Sequence, residues 1–168
     1  MPDSFASSEG LTKLAQHISG YTGYKKSEAR SDSDTEIRNL LIDRIKELLA
    51  LFAGDFDAAG QREKTALKKH IDSTQRKLRI ICDSLKAPTY LHGQFFLAGD
   101  VNDRRLERLY ELEWEMLEKL GNIKEELTTF RTSLSEETIE DHFLQISNFV
   151  DDLNQLLFER EALIIGDA

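Results

Sequence analysis

Four histidines (His17, His70, His92 and His142) and one cysteine (Cys82) are the side chains here best suited to hold a metal or act as nucleophiles. Di-metal sites in helical bundles use Glu-x-x-His pairs on two helices and a glutamate from each of the others, all pointing inward. In this chain Leu67 stands three residues before His70 and Ile139 three before His142, and no Glu-x-x-His occurs anywhere. Neither Gly-x-Ser-x-Gly nor the phosphate-cradling Gly-x-x-x-x-Gly-Lys is present. Cys82 has no second cysteine to pair with, neighbours a helical seam and reads as a small buried hydrophobe. These residues support a non-enzymatic chain with no cofactor and no metal. A helical enzyme assembled from distant residues is the remaining enzymatic reading.

A denser polar-aromatic grouping lies elsewhere. Tyr21, Tyr24 and Lys25 fall within the glycine-punctuated run Gly20-Tyr-Thr-Gly-Tyr-Lys25, which Glu28, Arg30, Asp34 and Arg38 follow in one dense polar-aromatic stretch, and Tyr90 and His92 lie in a second loop. Aromatic rings with polar tips add contact area for few rotatable bonds, so these five residues are the candidate recognition surface. The plainer reading is that the tyrosines pin a short first helix to the bundle end, with their hydroxyls in water. Arg62, Lys69 and Arg76, seven apart, form a basic strip facing away from the core, suited to phosphate, anionic lipid or an acidic partner, or simply to water. Glu111, Glu118 and Glu125 form an acidic row on the following long helix, and the two rows could meet between copies in a salt-sensitive homo-oligomer.

Net charge bounds the partners. At -9 overall the chain is a poor match for non-specific nucleic-acid binding. Gln61–Lys86 carries 8 basic residues against 3 acidic ones but no Phe, Trp or Tyr, so base stacking is missing as well. From Val101 onward there are 17 Asp or Glu against 7 Lys or Arg, so one basic helix precedes two acidic ones.

The elements that position these groups are helices. Ile139, Phe143, Ile146, Val150, Leu153 and Leu157 recur at steps of four and three, as do Leu67, Ile71, Thr74, Leu78, Ile81 and Leu85. Such steps keep one face apolar. The spacing predicts a short helix over Gly10–Ser19, then four long ones. The first begins between Tyr24 and Thr35 and stops at Gly54, and the second covers Ala58 to Leu85, before Pro88. The third runs from Val101 or Asn102 to Phe130, and the fourth from a cap at Ser133 or Ser135 to Ile164. The apolar connection Lys86–Asp100 should bury Phe95 and Phe96 at one end. Short links make each helix pair an antiparallel hairpin.

The expected fold is therefore all-α, a four-helix bundle of two antiparallel hairpins with a short N-terminal helical appendage. Residues 1–9 form a disordered lead and 10–168 a single domain. An extended coiled-coil array completed by dimerisation is the alternative, and the middle connection is free to join the hairpins as neighbours or across the diagonal. Seam extension also puts Arg38 and Glu113 on core-facing lines, where a charge needs a partner, and suggests they pair.

The Gly20–Lys25 segment, the charged run after it, the Ala87-Pro-Thr-Tyr90 turn and the leucine-rich ending resemble a family of uncharacterised bacterial all-helical proteins over most of the chain after residue 10. In that family the middle turn is closer to Thr-Tyr-Gly-Tyr, against Thr89-Tyr90-Leu91-His92-Gly93 here. The resemblance implies a helical fold and no particular activity.

No stretch is apolar enough to span a membrane, and the N-terminus lacks the basic start and apolar run of a signal peptide. The reading is a cytoplasmic interaction or scaffold protein with a protein partner. A peripheral membrane factor, dipping the apolar 90–97 loop into the interface with the basic strip on anionic lipid, is the competing class.

Overall fold

The computed structural model describes residues 8–58, 61–97, 99–132 and 136–166, with side chains at all of these except 55–58, 61–64, 66, 131, 132 and 136–138. Among them the chain is all-α. Helix α1 is Glu9–His17, α2 Arg30–Ala58, α3 Gln61–Lys86, α4 Gln94–Leu97, α5 Asp103–Thr132 and α6 Glu136–Ile165, with a 3-10 turn at Ser27–Ala29 before α2. Six helices replace the expected five, because the middle connection folds its Gln94–Leu97 segment into one turn.

Several boundaries move. The Ser8 hydroxyl accepts from the Leu11 amide and caps α1, so helix begins at Glu9, inside the expected disordered lead. Residues 1–7, like the expected Ser133 and Ser135 caps, lie outside the described residues. Gly54 does not end α2, which continues to Ala58. A glycine inside a helix costs only about 1 kcal/mol, and the fully buried Phe52 just before it anchors the helix to the core.

The long helices pack in the ring order α2, α3, α6, α5, and α1 lies on α5. Register follows from side chains. His70 stacks on Phe143 with ring centroids 5.4 Å apart, and Lys77 reaches Ser147 and Asp151 at 3.3 and 2.8 Å. Rising numbers on α3 thus meet rising numbers on α6, and these two neighbours run parallel. Since α3 and α5 are not in contact, the connection from Ala87 to Asn102 crosses the bundle diagonal.

The seam residues Ile139 to Leu157 and Leu67 to Leu85 are all buried, together with Cys82. Gly10 lets α1 approach α5 closely. A Cβ there would lie 3.0 Å from Tyr110 Cβ and 3.1 Å from its backbone carbon. Where α5 begins and α6 finishes, Arg105 donates from Nε to the Leu163 carbonyl at 2.6 Å and from Nη2 to that of Ile164 at 2.9 Å. It thereby satisfies the C-terminus of α6.

Candidate functional site

The polar residues best placed for chemistry converge inside the bundle, at the end where α2 and α5 begin and α3 and α6 finish. Gly20 and Gly23, at φ +75° and +73°, fold the segment before α2 back on itself. That turn drives Tyr21 and Tyr24 inward. Ser33 donates to the Gly23 carbonyl at 2.7 Å and the Tyr24 amide donates to the Tyr110 hydroxyl at 2.8 Å, so the loop is fixed from both α2 and α5.

Arg160 of α6 is the hub. Its Nε donates to Glu113 Oε1 at 2.9 Å, Nη1 to the Tyr90 hydroxyl at 2.7 Å, and Nη2 to Asp34 Oδ1 at 2.6 Å. Tyr24 and Tyr21 donate their hydroxyls to Glu113, and Tyr90 donates to Asp34 at 2.8 Å. Arg38 closes the other side, with Nε 2.8 Å from Asp34 Oδ2 and Nη1 on the Leu85 carbonyl at 2.9 Å. Two carboxylates thus balance two guanidiniums. Nearby, Arg30 donates to the carbonyls of Tyr24, Phe95 and Gly99, tying the first loop to the middle connection.

Burial sets the protonation. Desolvation pushes the Tyr21 and Tyr24 phenols well above their ordinary value of 10, and Glu113 beside them adds to the shift. The same desolvation raises Tyr90 and Tyr110 to about 12. Burial also raises the Glu113 carboxyl from its ordinary value, outweighing the attraction of Arg160 and the Tyr24 hydrogen bond. The phenols therefore remain protonated donors at neutral pH. Asp34, Glu113 and Arg160 have no exposed surface, so no substrate touches them in this arrangement. Arg38, Arg160, Asp34 and Glu113 each meet their opposite charge inside the protein.

This placement corrects the expected recognition surface. Tyr21, Tyr24 and Tyr90 are buried, and their hydroxyls meet carboxylates, not water or a partner. Only Lys25 and His92 of that set are exposed, and Lys25 pairs with Asp103 at 2.7 Å. The suggested Arg38–Glu113 pair does not form. Both charges face the core, but Arg38 binds Asp34 and Glu113 binds Arg160. In the connection Phe95 is buried and Phe96 partly so, whereas Leu91 and Leu97 are exposed.

Arg160 and Tyr110 were missed, while Arg30 and Asp34 were read only as charges in the dense stretch after the tyrosines. A core-facing signal for Arg160 and Asp34 was present. The α6 seam of threes and fours continues from Leu157 to Arg160, and the α2 seam steps back from Ile37 to Asp34. Both charges occupy positions an apolar residue would fill.

The surface carries the remaining candidates. Lys69 and Arg76 of the basic strip are exposed on α3, while the Arg62 side chain lies outside the described residues. Glu111, Glu118 and Glu125 are exposed on α5. Because α3 and α5 are diagonal, the two rows face away from one another. The histidines are scattered as well: His17 packs on Trp114, His70 on Phe143, and His142 bonds Glu126. Among the described residues no group of three or more His, Cys, Asp or Glu is placed to hold a metal ion, and no helix is long and apolar enough to cross a membrane.

One cleft of about 350 Å³, the low end of ligand-pocket size, lies between α2 and α5, walled by Arg44, Glu47, Leu48, Trp114 and Lys124. The buried Trp114 indole nitrogen beside it has no hydrogen-bond partner. A smaller groove of ≈ 180 Å³ runs between α3 and α6, lined by Lys77, Ile80, Ile81, Val150, Asp151 and Asn154. Of its lining Ile80 is 58% exposed, and Leu144 and Phe158, seven residues before and after Asp151 on α6, are 62% and 71% exposed.

No family model, no curated protein and no solved structure matches this chain.

Proposed function

We propose that this protein is a non-enzymatic helical scaffold, a bundle of two antiparallel hairpins acting in the cytoplasm, whose working surface is the α3/α6 face. The observation that carries this reading is the line of Ile80, Leu144 and Phe158 along that face. Leu144 and Phe158 lie two heptads apart on α6, with Asp151 between them, so they share one stripe beside α3. Single exposed apolar residues are ordinary, but Ile80 in the groove wall together with Leu144 and Phe158 on the adjoining α6 stripe makes a surface suited to a helical partner. The polar cluster supports the reading from inside by holding the helix ends in one packing.

Photo-crosslinking in the host cell tests it. A photoreactive side chain placed at Phe158 or Leu144 should give higher-mass adducts of the protein, and the same group at exposed Asp43 on α2 should give none. Equal yields from both faces, or none from either, would reject the α3/α6 face as the working surface.

A second reading, association with anionic membrane, rests on exposed Leu91 and Leu97 in the middle connection, at 42% and 75%. Pelleting with vesicles rich in anionic lipid, and its loss on Leu97→Ser, would support this alternative.

A further inference from the structure

We infer that the occupant of the α3/α6 face is a second copy of this chain, bound about a two-fold axis parallel to the two helices. This rests on the reading of that face as the working surface, and charge complementarity supplies the new argument. The α3 half of the face presents Lys69 and Arg76 to solvent, and the α6 half presents Glu140, Asp141 and Asp151, the last of which also pairs with Lys77 of its own chain at 2.8 Å. The face is therefore basic on the α3 side of the groove and acidic on the α6 side, where Asp151 shares one stripe with the apolar Leu144 and Phe158.

A face of this kind complements itself in only one way. A two-fold axis lying across the helices sets α3 on α3 and α6 on α6, basic on basic and acid on acid. An axis running along the groove sets each α3 on the partner's α6, because the rotation exchanges left and right and leaves height unchanged. Closed two-fold contacts use the same patch on both subunits, which this arrangement satisfies.

The heights agree as well. His70 stacks on Phe143 and Lys77 bonds Ser147 and Asp151, so residue 70 of α3 stands level with 143 of α6, and 77 with the middle of 147–151. Lys69 is then level with residue 142 and Arg76 with residue 149. At about 1.5 Å of rise per residue, Lys69 comes within roughly 2 Å in height of the partner's Asp141, and Arg76 within about 3 Å of the partner's Asp151. Ile80 stands level with residue 153, between Leu144 and Phe158. Each copy thus drops its Ile80 into the interval between the partner's two exposed apolar side chains. The contact holds charges of both signs around an apolar strip, so salt weakens it.

Sedimentation equilibrium of the full chain tests this through exposed residues. Wild-type protein should be dimeric at low salt and shift toward monomer at about 1 M salt, where screening acts within about 3 Å. Lys69→Glu and Asp141→Lys should each be monomeric, with helical content unchanged by circular dichroism. Mixing the two variants should restore a dimer, since each contact then joins opposite charges again. Three results would overturn the inference: a wild-type monomer at low salt, a dimer indifferent to both variants, or variants that stay monomeric when mixed. A wild-type monomer that still cross-links from Phe158 to a different protein would sink the self-association and leave the α3/α6 face standing.

Discussion

Arg160 and Asp34, 126 positions apart in sequence, meet at 2.6 Å with neither side chain reaching solvent. The contact joins the last turns of α6 to the second turn of α2, two helices on opposite corners of the ring. It draws in Glu113 from α5, Tyr90 from the middle connection and Tyr24 from the N-terminal loop. The N-terminal loop, α2, the middle connection and α5 are thus all referenced to one guanidinium of α6, while the end of α3 is held by Arg38.

Removing that guanidinium should therefore be costly. Arg160→Met leaves Asp34 and Glu113 buried with a charge partner lost, and breaking a buried pair from one side typically costs about 3–5 kcal/mol. Urea denaturation should show this loss. A change under about 1 kcal/mol, the range of an exposed pair, would mean that the cluster does not hold the helix ends.

Glu113 makes part of the stability depend on pH. Its carboxyl is raised in the fold by burial, so the folded chain binds its proton more tightly than the unfolded chain does. Its contribution is fully present below the ordinary carboxylate value of 4.5 and is lost as pH rises through the raised folded value. The uncharged Glu113→Gln lacks this slope. The free-energy difference between wild type and Glu113→Gln should move toward the variant as pH rises through that interval. Movement in the opposite direction would show that Arg160 and the phenols stabilise the ionised carboxylate by more than burial costs.

Two glycines separate backbone strain from steric room. Both Gly20 and Gly23 sit at positive φ, but a Cβ at Gly20 meets nothing within 4 Å, whereas one at Gly23 would collide with the Tyr110 ring and with Leu11. Gly20→Ala should cost about 1 kcal/mol from conformation alone. Gly23→Ala should cost clearly more, read from thermal unfolding of the two variants side by side. Equal losses would indicate that the loop does not pack on Tyr110.

The middle connection divides by burial in the same way. Phe95→Ala should destabilise the fold by about 3–5 kcal/mol, the usual cost of emptying a buried phenylalanine site. Leu97→Ala, at a side chain 75% exposed, should stay within about 0.5 kcal/mol of wild type. Comparable effects at both positions in urea titrations would contradict the placement of α4.

The helices were legible because burial imposes period. Ile139 to Leu157 and Leu67 to Leu85 can face a core only as helical stripes, and they do. The diagonal crossing was not legible, because Ala87–Asn102 is long enough for either route, and the choice rests on tertiary contacts such as His70 on Phe143. The polar cluster was half legible. Arg38 and Glu113 were placed on core-facing lines from the seam, but paired with each other; Arg38 instead takes Asp34, one helical turn away, and Glu113 takes Arg160, 47 residues on, a match set by geometry rather than by spacing. Glycine-flanked tyrosines read equally as a surface loop or an inward one. The φ values of Gly20 and Gly23, absent from any residue pattern, turn them inward.

The central claim is that the α3/α6 face works on partners while the buried polar cluster only holds the helices in place. It is tested most directly by cross-linking from a photoreactive group at Ile80 in two backgrounds, each first shown to be folded by circular dichroism. The account predicts that Phe158→Ser abolishes the adduct, whereas Tyr21→Phe, which removes one long 3.4 Å hydrogen bond to Glu113, leaves it unchanged. An adduct that survives Phe158→Ser but disappears in a folded Tyr21→Phe protein would contradict it.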